Sequence, residues 1–193
     1  MKNQNQKNTK GFTLIEIVVA LAVIMLLAEV GARAAGTYFN NLANTQIAGH
    51  AMVLGRAGSA YIAANRSTLI AAAGPSTPVV VSVATLASTG FAPTGFSAVN
   101  QAGQTLALYI IEPTPGVIHG LLVGSGGEAL DGLNARKVAQ AMGAAGGYLD
   151  PGAPTKAKGA FNGWATNITP YGVAPGAGHV VFAVFVLDAM AAP

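Results

Sequence analysis

Glu16 holds the most chemically loaded position in the sequence. It lies four residues inside an apolar run, FTLIEIVVALAVIMLLA, that begins at Phe12. A carboxylate is costly in a hydrocarbon environment and needs a partner there. Its chemistry is therefore ion pairing and hydrogen bonding within an apolar layer, which contributes little net stability but can fix register. Upstream, Gly11 precedes Phe12, and the tip MKNQNQKNTKG carries Lys2, Lys7 and Lys10 with no acid.

Other reactive side chains do not form recognisable sets. His50, His119 and His179 are scattered, with no carboxylate at metal-ligand spacing, so no metal site is expected. Gly124-Ser125-Gly126-Gly127 lacks the Lys-Ser/Thr of a phosphate loop and reads as a turn. Ser125 and His119 do not make a nucleophile elbow. Glu128 and Asp131 are two acids in a glycine-rich loop, weighed as a calcium site and read as solvated. His179, opening a strand run, reads as a structural or exposed histidine, and Phe161 and Trp164 as core. No catalytic residue, no cofactor and no enzymatic activity are expected.

Composition narrows the classes further. Of 193 residues only 9% are charged, 25 are glycine and none is cysteine. Disulfides, thiolate metal sites and a cysteine nucleophile are excluded. The net charge of +3 belongs to the N-terminal tip: beyond its three lysines, seven basic residues face seven acids. No basic patch interleaves with aromatics, so nucleic acid is not an expected partner.

The elements follow from periodicity and punctuation. Phe12 to about Ala35 is long enough to span a bilayer, which takes about 20 residues. Ile47, Ala51, Leu54, Gly58, Tyr61 and Ile62 fall on one helical face. A long helix is expected over about 13–70, half membrane and half packed on a head, with a break near Gly31 or Gly36 as the alternative. Gly74-Pro75-Ser76-Thr77-Pro78 ends it. Val79–Val83 reads as β, Thr85–Ser88 as a helical turn, and Gln104–Glu112 with Val117–Val123 as a hairpin around Pro113-Thr114-Pro115-Gly116. Asp131 caps an expected helix over Leu133–Met142 that Gly143 closes. Tyr148-Leu149 reads as a short strand, 151–159 as loop, Phe161–Ile168 as a strand and His179–Leu187 as the last strand. The sum is α+β: a long N-terminal helix packed on an antiparallel sheet. The expected division is 1–11, 12–35, 36–73 and 74–193.

Lys10-Gly11-Phe12-Thr13-Leu14-Ile15-Glu16 resembles the type IV prepilin cleavage motif. The resemblance implies a leader, residues 1–11, removed by a prepilin peptidase that cuts between Gly11 and Phe12 and N-methylates Phe12. It gives Glu16 the role of assembly residue, paired with the new α-amino group of Phe12. The lysines would hold the leader in the cytoplasm, and Gly11, lacking a Cβ, suits close approach of a protease. The implied protein is single-pass in the inner membrane with a periplasmic head, then extracellular in a pilus. Its implied partners are the peptidase, other pilin subunits and the pilus assembly platform. Small residues such as Ala20, Ala22, Ala28 and Gly31 suit close helix contact there.

A second resemblance covers roughly residues 85–187. Asn100-Gln101-Ala102-Gly103-Gln104, Ala139-Gln140-Ala141-Met142-Gly143, Gly159-Ala160-Phe161-Asn162-Gly163-Trp164 and Gly178-His179 are similar to phrases of the constant region of shufflon-type minor pilins of type IVb conjugative pili. In that family an exchangeable C-terminal segment follows and binds recipient-cell surfaces. Here the sequence ends at Pro193, just after the last strand run, so a subunit role is expected ahead of a tip adhesin with a recipient or host cell surface as partner. A type II secretion pseudopilin is the other pilin-like alternative. An ordinary signal peptide, cut after Ala32-Arg33-Ala34, is the alternative outside the class.

Overall fold

The computed structural model describes residues 13–185. They form two units, with the boundary between Asn41 and Leu42. Helix α1 runs Leu14–Ala64 and carries no break at Gly31 or Gly36. It ends at Asn65, short of the expected 70, and α2 follows at Arg66–Ala72. The reason is local. Asn65 Nδ2 and the Asn65 backbone N–H both donate to the Tyr61 carbonyl, at 2.9 and 3.0 Å. A side chain that competes for a ladder carbonyl in this way bends or interrupts a helix.

In the C-terminal unit one sheet takes the order β1-β2-β3-β7-β4-β5-β6, every pairing antiparallel. Its strands are β1 (Val79–Ser82), β2 (Thr105–Thr114), β3 (Val117–Ser125), β4 (Gly146–Asp150), β5 (Ala153–Gly159), β6 (Ala165–Asn167) and β7 (Val180–Phe185). Two short helices complete it, α3 (Val83–Ser88) and α4 (Gly132–Ala141). The α+β class stands as expected. The hairpin β2–β3 closes through Thr114↔Val117, and the Glu112 carboxylate accepts the Gly116 N–H at its tip.

Alternation sorts the strand residues onto two cores. Leu106, Leu108, Ile110, Ile118, Leu122, Val180 and Val184 meet Ile47, Leu54 and Ile62 of α1 on one face. Ile111, Leu121, Val123, Leu149, Val181 and Ala183 face the other way, under Ile168 and Tyr171. Burial on both faces explains the nearly continuous apolar runs of β2, β3 and β7. Each fully buried Leu or Ile contributes about 1.5–3 kcal/mol. Helix α1 sits close because the helix and the strand both carry glycine at the contact: a Cβ on Gly55 would enter the Phe182 ring, and one on Gly120 would lie 2.6 Å from Ile62.

Two further expected elements differ. Residues 151–159 are not loop; Ala153–Gly159 is β5, paired with β4 and β6. Phe161–Ile168 is not one strand. Ala160–Asn162 is a 3-10 turn with Phe161 at φ 54° and Asn162 at φ 57°, and β6 is only Ala165–Asn167. The turn lets Trp164 fold back onto the cross-strand pair Gly147↔Gly159, while its indole N–H donates to the Ala144 carbonyl. A Cβ on Gly159 would lie 2.5 Å from the indole, and one on Gly147 2.7 Å. Gly159→Ala is therefore expected to lower stability by about 1–3 kcal/mol through overpacking, read as a fall in the thermal unfolding midpoint. An unchanged midpoint would mean that the indole does not rest there.

Candidate functional site

The N-terminal unit presents an apolar helix surface with one acid in it. Thr13 is the residue before α1 and Glu16 its third residue. The Thr13 N–H and Oγ1–H both donate to Glu16 Oε2 at 3.0 Å, and the Glu16 N–H donates back to Thr13 Oγ1 at 3.3 Å. This is a reciprocal capping box, which satisfies donors that a helix N-terminus otherwise leaves free. The helix dipole also favours an anion here. Around the carboxylate, Ile15, Ile17, Val19, Ala20, Leu21 and Ile24 make an exposed apolar helix surface. Gly11 and Phe12 lie outside the described residues. Leu14–Ala64 contains a window long and apolar enough to cross a membrane, and none of that window is buried. Farther along, Arg33 pairs with Glu29 one turn earlier.

The structure does not bring the three histidines together. His119 is on β3 and faces solvent. On α1, His50 stacks on Phe96 with ring centroids 4.8 Å apart, and its Nε2 lies 2.8 Å from the Ser97 carbonyl. Burial holds His50 below the ordinary histidine range, opposed by the Ser97 contact. Folding thus favours the neutral ring. The stability this contributes is present above the unfolded pKa and is lost as pH falls toward the lower folded value. Between about pH 7.5 and pH 5 the wild-type melting point is expected to fall more than that of His50→Gln. Equal slopes would remove His50 from the account.

His179 is buried in a hydrogen-bonded clamp just before β7. Its Nε2 lies 3.0 Å from the Gly126 carbonyl, and its Nδ1 lies 3.1 Å from those of Gly176 and Ala177. Beside it Gln104, fully buried, ties three segments. Its side-chain amide donates to Glu128 and Gly178, and its carbonyl accepts the Val180 N–H. Asn100 Oδ1 accepts the N–H groups of Ala102 and Gln104 to close the turn before β2. Sequence reasoning missed Gln104 as a hub. Its signal was the phrase Asn100–Gln104, polar residues immediately before a β-rich run. Asp131 caps α4, its Oδ1 accepting the Leu133 and Asn134 N–H groups, both at 2.9 Å. Among the described residues no group of three His, Asp or Glu could hold a metal ion.

An apolar N-terminal helix opened by a threonine–glutamate cap, with an antiparallel α+β unit after it, is the architecture of a type IV pilin-like chain. Residues 6–28 match the prokaryotic N-terminal methylation motif. Residues 37–192 match the bacterial shufflon protein N-terminal constant region, and the chain belongs to that family. It is 29% identical over 182 residues to shufflon proteins A' and B of Escherichia coli, an alignment covering 91% of this chain. The same alignments cover 41% and 40% of those proteins, so the chain spans about two fifths of the length of these relatives. No solved structure matches.

Proposed function

We propose that this chain is a structural subunit of a type IV pilus, of the type IVb kind and minor in copy number. Residues 1–11 are its leader, 12–35 its membrane and assembly helix, 36–73 the continuing helix and 74–193 its head. A prepilin peptidase cuts between Gly11 and Phe12 and N-methylates Phe12. Before assembly the helix is anchored in the inner membrane with the head in the periplasm. The assembly platform then moves the helix from lipid into the helical bundle of an extracellular filament, alongside other pilin subunits. Roles in conjugation, attachment or motility follow from membership of that filament, and a recipient-cell surface is the partner such a filament would meet.

The observation that carries this reading is Glu16. Its carboxylate stands on an exposed apolar helix surface, and its hydrogen bonds come from Thr13 alone among the described residues. The cap uses hydrogen bonds from Thr13 but gives the acid no counter-ion. A new α-amino group at Phe12, from the same or a neighbouring chain, gives it a cation. Gly31 and Gly36 add support: nothing lies within 4 Å of where their Cβ atoms would be, so no packing inside the chain asks for glycine there. Helix–helix contact between subunits does.

The test is intact mass with N-terminal sequencing of the protein recovered from sheared surface filaments. The expected species begins at N-methylated Phe12 and is scarce relative to another pilin. A start near Ala35, or absence from filaments, overturns the reading.

A further inference from the structure

The turn at Ala160–Asn162 that folds Trp164 back onto the sheet also lines a recess beside α4. Phe161 has φ 54° and ψ 22° and is 76% exposed. A bulky aromatic in the left-handed region is a true outlier, and strain of this kind persists where the surroundings impose it for a function. Here it does not bury the ring. The exposed ring lines a recess of about 120 Å³ whose other walls include Arg136, Gln140, Tyr148 and Asn162.

Three of these walls have unspent hydrogen-bonding capacity. The Arg136 guanidinium makes no hydrogen bond or ion pair among the described residues. The nearby carboxylate, Asp150, is instead paired with Lys158. Arg136 acts on Asp150 only through space, so its guanidinium donors stay open to the recess. The side-chain amides of Gln140 and Asn162 are likewise without partners among the described residues. Both belong to exposed positions, Gln140 on α4 and Asn162 on the turn.

We propose that the recess between α4 and the Phe161 turn binds an acidic saccharide, one sugar ring bearing a carboxylate or phosphate. An exposed aromatic face takes the apolar CH face of a pyranose. Two free amides supply donors and acceptors for hydroxyls. A guanidinium holds the anionic group by a two-pronged hydrogen bond. The size is too small for a drug-sized ligand but fits one ring, and the open rim at Phe161 lets a glycan chain continue outward. The recess is formed wholly within the sheet-bearing unit and is independent of the N-terminal helix.

The experiment is calorimetric titration of the full chain, in micelles of an uncharged detergent, with trigalacturonate and with neutral maltotriose. Saturable binding of trigalacturonate alone is expected. Arg136→Gln and Phe161→Gly each weaken it at least about tenfold, while Lys156→Gln, an equal change in charge outside the recess, leaves it within about twofold. Phe161→Gly should not lower the melting point, because glycine adopts this backbone freely; lost binding at retained stability separates a ligand contact from a structural one. Three results overturn the proposal: no saturable binding of trigalacturonate, equal binding of maltotriose, or unchanged binding in both recess variants. Loss of self-association in Phe161→Gly without any saccharide binding would assign the recess to a second copy of this chain instead.

Discussion

Glu16→Ala is expected to leave cleavage after Gly11 intact and to remove the subunit from filaments. Cleavage should survive because the scissile bond lies outside the helix that Glu16 belongs to, and Thr13 still precedes Leu14. Incorporation should fail because the carboxylate is the single acid on its apolar helix surface. In lipid the capping box gives it donors from Thr13. Under the proposed function, the Phe12 amine of the incoming or neighbouring chain would be its counter-ion in a filament, and an unpaired ammonium in that apolar bundle is strongly disfavoured. The alanine variant leaves that ammonium alone, so its content in sheared filaments is expected to fall about a hundredfold, the scale of orphaning one partner of a buried pair. Thr13→Ala separates the two roles. It strips the cap but keeps the charge, so it should reduce assembly far less. N-terminal sequencing of cell-bound and sheared fractions reads both variants. Normal incorporation of Glu16→Ala would end the register-setting role.

The elements legible in the sequence are those with local causes. Asp131 three residues before Asn134, and Gly143 at φ 78° after the helix, mark both ends of α4. Pro113-Thr114-Pro115-Gly116 marks the β2–β3 hairpin. The illegible elements have distant causes. Ala153–Gly159, with its alanines, lysines and proline, has little β preference of its own; β4 and β6 make it a strand through Leu149↔Ala157 and Ala157↔Thr166. Phe161 looks like the start of a strand because aromatics favour strands, yet the indole of Trp164 needs a tight reversal to reach Gly147 and Gly159. The early stop of α1 turns on one side-chain hydrogen bond at Asn65, which a long alanine-rich helical pattern hides.

Gln104 is the other residue whose weight comes from distance in sequence, and Gln104→Leu is expected to destabilise the head by about 2–4 kcal/mol. Leucine nearly matches the volume, so no large cavity opens. What is lost is polar satisfaction. The Val180 N–H loses its acceptor, 3.2 Å away, and the Glu128 carbonyl loses its donor, 2.8 Å away. The buried Val180 N–H left unpaired costs about 1–3 kcal/mol, the Glu128 carbonyl at its exposed residue turns to water, and the released contacts hold the start of β7 against the turn before α4. For a chain of this size, roughly 2–4 °C of melting temperature accompanies each kcal/mol, so the midpoint should drop by about 10 °C. Gln104→Glu refines the test. Its carboxylate can still accept from Val180 but sets oxygen against the Glu128 and Gly178 carbonyls, so at neutral pH it should be at least as damaging as leucine. Protonation restores one donor, and the glutamate variant alone should regain stability relative to wild type as pH falls toward 4.5 or so, the ordinary carboxylate range. Thermal unfolding of the full chain in detergent, followed by circular dichroism, measures both. A Gln104→Leu midpoint within about 2 °C of wild type would mean that the clamp formed by His179 with Gly126, Gly176 and Ala177 holds the three segments without it.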